Sequence, residues 1–213
     1  MRSERSVIQV FILAVALFAA AGGPVSAATL GKGPGGFRYG VGWGIDAVFY
    51  SNHYYNFTME SGYSVRGLHN STLYAFNGYL YGSIGYEFRE RFRLMLRGGY
   101  SGMGDQYRVF PLTLETTIFT PVTLHTGWTA TVEAGVSFHE RKPRAAMPLI
   151  SGGFGYRISL SDFTDLEFSL RYRCGLRKPP IRDPEYNSTV DPVNIRRNTQ
   201  FLHSIGLGAA LVF

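Results

Sequence analysis

The sequence predicts an all-β chain, an eight-stranded antiparallel up-and-down transmembrane β-barrel. Three observations carry this prediction. Apolar and polar residues alternate with period two through eight segments, each longer than an ordinary globular strand. The charges within these segments fall on the face opposite the aromatic and aliphatic residues. The alternation also runs to the last residue, with Ile205, Leu207, Ala209, Leu211 and Phe213 on one face and Gly206, Gly208 and Ala210 on the other. The ends of soluble chains usually fray or turn polar.

The first segment, Phe37 to Tyr50, sets Phe37, Tyr39, Val41, Trp43, Ile45, Ala47 and Phe49 against Arg38, three glycines and Asp46. In the second, Leu73 to Phe88, Tyr74, Phe76, Leu80, Ile84 and Tyr86 oppose Asn77, Tyr79, Tyr81 and Glu87. The third, Arg91 to Gly102, places Phe92, Leu94, Leu96 and Tyr100 opposite Arg91, Arg93 and Arg97. The fourth, Tyr107 to Phe119, has Phe110, Leu112, Leu114 and Ile118 against Thr113, Glu115 and Thr117. Trp128 to His139 alternates Trp128, Ala130, Val132, Val136 and Phe138 with Thr129, Thr131, Glu133, Ser137 and His139. Pro148 to Leu160 contrasts Ile150, Phe154, Tyr156 and Ile158 with Ser151, Gly153, Gly155 and Arg157. Leu166 to Leu176 interleaves Leu166, Phe168, Leu170, Tyr172 and Cys174 with Glu167, Ser169, Arg171 and Arg173. Thr199 to Phe213 is the eighth. Ser51 to Thr72, Glu140 to Met147 and Lys178 to Asn198 read as the longer, polar loops, while Thr120 to Gly127 and the other connections read as short turns.

Residues 1–27 read as a signal peptide. Arg2 and Arg5 precede an apolar run from Val7 to Ala21, and Val25-Ser26-Ala27 supplies the small residues a signal peptidase needs. The run is shorter than the ~20 residues of a spanning helix. The mature chain is expected to begin at Ala28, with residues 28–36 a flexible periplasmic lead-in and residues 37–213 the barrel. Cys174 is the only cysteine, so no intrachain disulfide can form. The chain is basic, with 21 Lys and Arg against 15 Asp and Glu. The arginines alternate along strands instead of forming a run, so no nucleic-acid partner is expected.

A lipocalin-like barrel would turn the apolar face inward, whereas a membrane barrel turns it outward. The glycines of the first and last segments favour the second arrangement, because on an inner face they leave room for Arg and Tyr. Aromatic residues near segment ends (Phe37, Phe49, Phe88, Phe92, Trp128, Phe138, Phe201, Phe213) suit interfacial girdles.

With signal peptide, eight two-faced strands and the Leu211-Val212-Phe213 ending, the chain resembles small bacterial outer-membrane β-barrel proteins of the OmpA/OmpX type. The resemblance implies an outer-membrane location and contact with outer-membrane lipid and lipopolysaccharide. It also implies assembly by the barrel-assembly machinery, which reads Leu211 and Phe213, and a monomer without a cofactor. It specifies architecture more than function, since the family spans several roles.

Eight strands enclose just enough space for side chains, so inward charges must pair. A turn centred on Asp105 and Gln106 brings Arg97 beside Glu115, and one near Thr123 brings Glu115 beside Glu133. The loop around Arg144 then brings Arg157 near Glu133, and the turn at Asp162 brings Glu167 near Arg157. The expected lumen network is therefore Arg97, Glu115, Glu133, Arg157, Glu167, with Arg171 above. A structural or surface-interaction role through the outer loops follows from a plugged lumen, and a narrow ion or small-solute channel from a wet one. A lipid A-modifying enzyme would need the Ser137, His139 and Glu140 group, which reads as ordinary lumen polarity, so no catalytic residue is assigned. His53, His69, His125, His139 and His203 lack metal-ligand spacing, and Gly33-Pro34-Gly35-Gly36 follows no strand and makes no phosphate loop. The sequons at Asn56, Asn70 and Asn187 read as loop polarity.

Overall fold

The computed structural model describes residues 35–213 apart from 89–90, 104–107, 124–125, 141, 162 and 187. The expected signal peptide, residues 28–34 of the lead-in, the turn residues Asp105, Gln106 and Asp162, His125 and the sequon at Asn187 lie outside the described residues. The strands are β1 (Gly35–Thr58), β2 (Ser64–Phe88), β3 (Phe92–Gly102), β4 (Arg108–Thr123), β5 (Thr126–His139), β6 (Lys142–Ser159), β7 (Asp165–Arg177) and β8 (Ile195–Val212). Each pairs antiparallel with its neighbours in sequence, and β1 pairs with β8, so the ring is closed.

The two faces separate as the alternation requires. Phe76, Trp128 and Phe154 are 78%, 62% and 71% exposed on the outer wall, whereas Arg93, Glu115 and Arg157 are 1–3% exposed inside. A water-soluble domain does the opposite with such side chains. An outer wall of aromatic and aliphatic residues around buried charge is stable where hydrocarbon surrounds it. Along β1 the outward apolar run extends from Phe37 to Phe49. At about 3.3 Å per residue and a tilt of about 40°, it stands ~30 Å tall, the thickness of a bilayer core. Arg108 is the exception to the charge pattern: it lies exposed at the start of β4, in phase with outward Phe110.

Several expected connections are shorter than the sequence suggests. Most of Ser51 to Thr72 is strand, because β1 continues to Thr58 and β2 begins at Ser64. A bulge between Val48 and Tyr50 shifts the register against both β2 and β8. Even-numbered β1 residues point inward below it and odd-numbered ones above it, so that Val48 and Ser51 are both buried. The period-two signal breaks there, and the polar residues beyond it resemble a loop although their backbone pairing continues. Likewise β6 starts at Lys142, leaving only residues 140–141 between strands, and residues 124–125 alone separate β4 from β5. Residues 178–194 form the one long connection, which carries the short 3-10 helix Pro192–Asn194.

Closure at the chain's end is bonded. Phe213 donates its backbone N–H to the Tyr39 carbonyl at 2.8 Å and accepts from the Tyr39 N–H at 3.1 Å. Its ring stacks on Tyr39 with centroids 5.3 Å apart. Deleting Phe213 removes both backbone bonds and the stacked pair at the seam. Heat-modifiable electrophoretic mobility after refolding into detergent is expected to fall sharply in this variant; wild-type recovery would disprove a role for the residue in closure.

Candidate functional site in the barrel lumen

The inward residues of seven strands meet in three tiers of paired charge. The lowest, at the end where Gly35 and Phe213 lie, joins Arg38, Arg93 and Arg157 to Glu87, Asp165 and Glu167. Arg157 holds Glu87 with two nitrogens at 3.1 and 2.8 Å, and its Nε donates to Glu167 at 3.1 Å. Arg93 crosses the lumen from β3 to hold both Glu167 oxygens at 2.7 Å. Arg38 donates to Glu87 at 3.2 Å, and Asp165 lies 3.5 Å from Arg157. Two guanidinium groups lie over the Phe119 ring, Arg93 at 5.1 Å and Arg157 at 3.8 Å from its centroid.

The middle tier contains Arg97, Arg171, Glu115 and Glu133. Glu115 is bonded by Arg97 and by Arg171, the latter at 2.5 Å. Both arginines also reach Glu133 at 3.3 Å. Thr113 and Ser151 donate to Glu133 at 2.5 and 2.8 Å, and the Arg97 guanidinium lies 3.5 Å over the Tyr81 ring. A third tier pairs Arg173 with Asp46, and the Arg173 guanidinium lies 5.3 Å over the Tyr79 ring. The tiers hold three, two and one arginines against equal numbers of carboxylates, so each is neutral when ionised. Guanidinium suits these positions because it pairs bidentately with carboxylate and stacks on aromatic faces.

The expected network is thus partly rearranged. Glu115 and Glu133 are direct cross-strand partners, and Arg157 and Glu167 pair across β6 and β7. Arg97 faces Thr113 in register and reaches Glu115 two residues along. Arg171 joins Glu115 and Glu133 from across the lumen. Arg157 is not beside Glu133: Ser151 takes that place, while Arg157 pairs with Gly127 on β5 and turns to Glu87 and Glu167. Hairpin arithmetic relates only adjacent strands, whereas the bonds from Arg93, Arg157, Arg171 and Arg173 cross the lumen. Inward phase marked Arg38, Asp46, Glu87, Arg93 and Arg173 as lumen residues, yet only the closed ring brings them to their partners.

The glycines make this filling possible. A Cβ on Gly42 would strike the Tyr81 ring, and one on Gly44 or Gly208 would strike the Tyr79 hydroxyl. Above the charges lies an apolar layer of Val48, Ala75, Met103, Val109, Met147, Leu149 and Leu202. Among the described residues, one cavity of about 20 Å³ lies between this layer and Asp46 and Arg173, and another of about 20 Å³ lies beside Tyr81 and Arg97. Each has room for about one water. Ser137 is fully buried, and its hydroxyl donates to the Met147 carbonyl at 3.2 Å.

No family model matches the chain, and no curated protein matches it. Among solved structures it is similar to the outer membrane protein OprG from Pseudomonas aeruginosa, at 12% identity over 83% of this chain and 95% of that one, with a TM-score of 0.45. It is also similar to the outer membrane protein AlkL in lipid bilayers, at 12% identity over 83% and 90%, TM-score 0.43. The outer membrane protease OmpT from Escherichia coli shares 8% identity over 83% and 96%, TM-score 0.41.

Removing Arg157 strips Glu87 of its bidentate partner and leaves Glu167 with Arg93 alone. Arg157→Ala is expected to cost on the order of 3–5 kcal/mol, whereas Arg182→Ala on the exposed loop is expected to cost under about 0.5 kcal/mol. Urea titration of both variants in detergent measures the difference; coincident midpoints would show that the lowest tier contributes nothing. Gly44→Ala is expected to destabilise by about 1–3 kcal/mol through overpacking against the Leu207 carbonyl and the Tyr79 ring, read in the same titration.

Proposed function

We propose that this chain is an outer-membrane barrel whose lumen is sealed and whose role is structural or surface-interacting, exerted through the loops at its outer end. The observation that carries this is the filling of the lumen: three neutral tiers of ion pairs lie beneath an apolar layer, and the cavities described beside them hold about one water each. A narrow channel needs a continuous wet path, and both the apolar layer and the cross-lumen arginines obstruct one.

The outer end is built as a platform. Phe57, Ile181 and Val190 form a buried cluster that packs with Tyr55, Met59, Val65 and Ile195. Residues 178–194 are thereby fastened to the extended β1–β2 hairpin. Asp183 accepts from the backbone N–H groups of Glu185 and Glu60 at 2.9 and 3.3 Å, and Asn198 donates to the Pro179 carbonyl at 2.6 Å. Tyr63, Tyr186 and Val193 remain exposed on this platform and are the contact residues it offers a partner. In this reading residues 1–27 direct export and are cleaved, the barrel-assembly machinery inserts the strands by way of Leu211 and Phe213, and outer-membrane lipid surrounds a monomer. No cofactor and no nucleic acid take part.

Two measurements test the reading. Membrane fractionation is expected to find the mature chain with the outer membrane. Planar-bilayer recording of the purified barrel is expected to show no unitary conductance steps; steps that scale with protein added and vanish on denaturation would replace the sealed barrel with a channel.

A further inference from the structure

On the outer wall, polar side chains gather where strands β7, β8, β1 and β2 adjoin. There, just above the apolar run, four outward side chains form a hydrogen-bonded row across all four strands. The Tyr172 hydroxyl lies 2.5 Å from His203 Nδ1, and His203 Nε2 lies 3.0 Å from Asn52 Oδ1. Asn52 Nδ2 donates to Asn70 Oδ1 at 3.1 Å and to the Tyr50 hydroxyl at 3.4 Å. With Nε2 donating to Asn52, His203 Nδ1 accepts from Tyr172, so the row is oriented throughout.

Above it, Arg66 on β2 and Arg197 on β8 both stand in register with Asn56 on β1. Both arginines are exposed, and neither makes an ion pair with a carboxylate among the described residues. Arg197 lies over the Tyr54 ring at 4.8 Å, which holds its guanidinium against the wall. Below the row, Tyr74, Phe76, Ile205 and Leu207 are strongly exposed. The opposite wall differs: near the loop end of β4 and β5, Phe110 and Phe138 pair, and Tyr100 packs on Phe110 at 5.2 Å.

From outside inward, this wall presents two separated cations, then a row of amide, imidazole and phenol groups, then hydrocarbon. We propose that it binds the head of a phosphorylated, acylated glycolipid, the lipid A portion of lipopolysaccharide. Arg66 and Arg197 take two phosphates, Asn52, Asn70 and the Tyr172 hydroxyl take the sugar hydroxyl and amide groups, His203 holds Tyr172 and Asn52 in place between them, and the acyl chains lie along Phe76, Ile205 and Leu207. Width decides against an ordinary glycerophospholipid. Three inter-strand spacings make the polar row about 14 Å wide, and two put the arginines about 10 Å apart. A phosphorylated disaccharide spans such a surface, whereas one phosphodiester engages one arginine at a time. Guanidinium matches phosphate through paired donors.

This inference rests on the outer-membrane reading, and the test separates the two. The full-length mature barrel is reconstituted in phosphatidylglycerol nanodiscs, where heat-modifiable mobility reports insertion. Binding of bisphosphorylated lipid A is then measured against binding of its dephosphorylated form, with inorganic phosphate as competitor. Wild type is expected to prefer the bisphosphorylated form, and inorganic phosphate is expected not to displace it. Arg66→Ala/Arg197→Ala is expected to bind about tenfold more weakly, and Arg108→Ala, which removes an exposed arginine elsewhere, to bind as wild type. His203→Phe is expected to weaken both lipid A forms alike, because it releases the Tyr172 hydroxyl and the Asn52 amide from the row that positions them. If the inserted barrel binds both forms equally, if phosphate displaces the lipid, or if Arg108→Ala matches the double variant, the assigned site is wrong although the membrane reading stands. Failure of wild type to insert into bilayers would overturn the membrane reading itself.

Discussion

Closing a ring with only eight strands is the constraint from which the rest of this structure follows. The enclosed space is just wide enough for side chains, so inward residues touch one another and the paired inward charges are largely removed from water. Such charges are tolerated only where partners meet them with good geometry. The three tiers answer this demand by pairing arginines with equal numbers of carboxylates, and by adding hydroxyl donors from Thr113 and Ser151 where guanidinium groups do not saturate Glu133. Phe119, Tyr79 and Tyr81 occupy the remaining width and stack on the guanidinium planes. The same limit explains the glycines opposite those tyrosines: a ring on one strand requires an absent side chain on the next.

The outer face obeys a different solvent. Hydrocarbon accepts aromatic and aliphatic residues without penalty, so the wall needs little specificity over most of its height. Polar side chains outward at the upper boundary are therefore informative, particularly when hydrogen bonds order them across four strands. The bulge at Phe49 prepares this region, because it rotates the faces of β1 and turns Asn52, Tyr54 and Asn56 outward. Without that shift, Asn52 and Asn56 would point inward, and Ser51 and Phe57 would face out.

Much of the architecture was legible in the sequence. Period-two alternation located all eight strands, and the glycine and charge faces chose lipid outside over ligand inside. Its reach ended where a local signal ended. The upper parts of β1 and β2 read as loop because their side chains are polar on both faces and because the phase breaks at the bulge. In the lumen, Glu115 and Glu133, like Arg157 and Glu167, were legible as neighbours because antiparallel hairpins relate adjacent strands by simple counting.

The sequence by itself determined which residues share a face, since side-chain direction along a strand depends on local backbone geometry alone. Only the tertiary structure decided which of them meet. Arg93 finds Glu167, Arg157 finds Glu87 and Arg171 finds Glu115 across the lumen. Those distances depend on the diameter and shear of the closed ring, quantities that belong to all eight strands together. The alignment of Tyr172, His203 and Asn52 has the same origin: it joins three strands, two of them from opposite ends of the chain, and exists only because the ring closes.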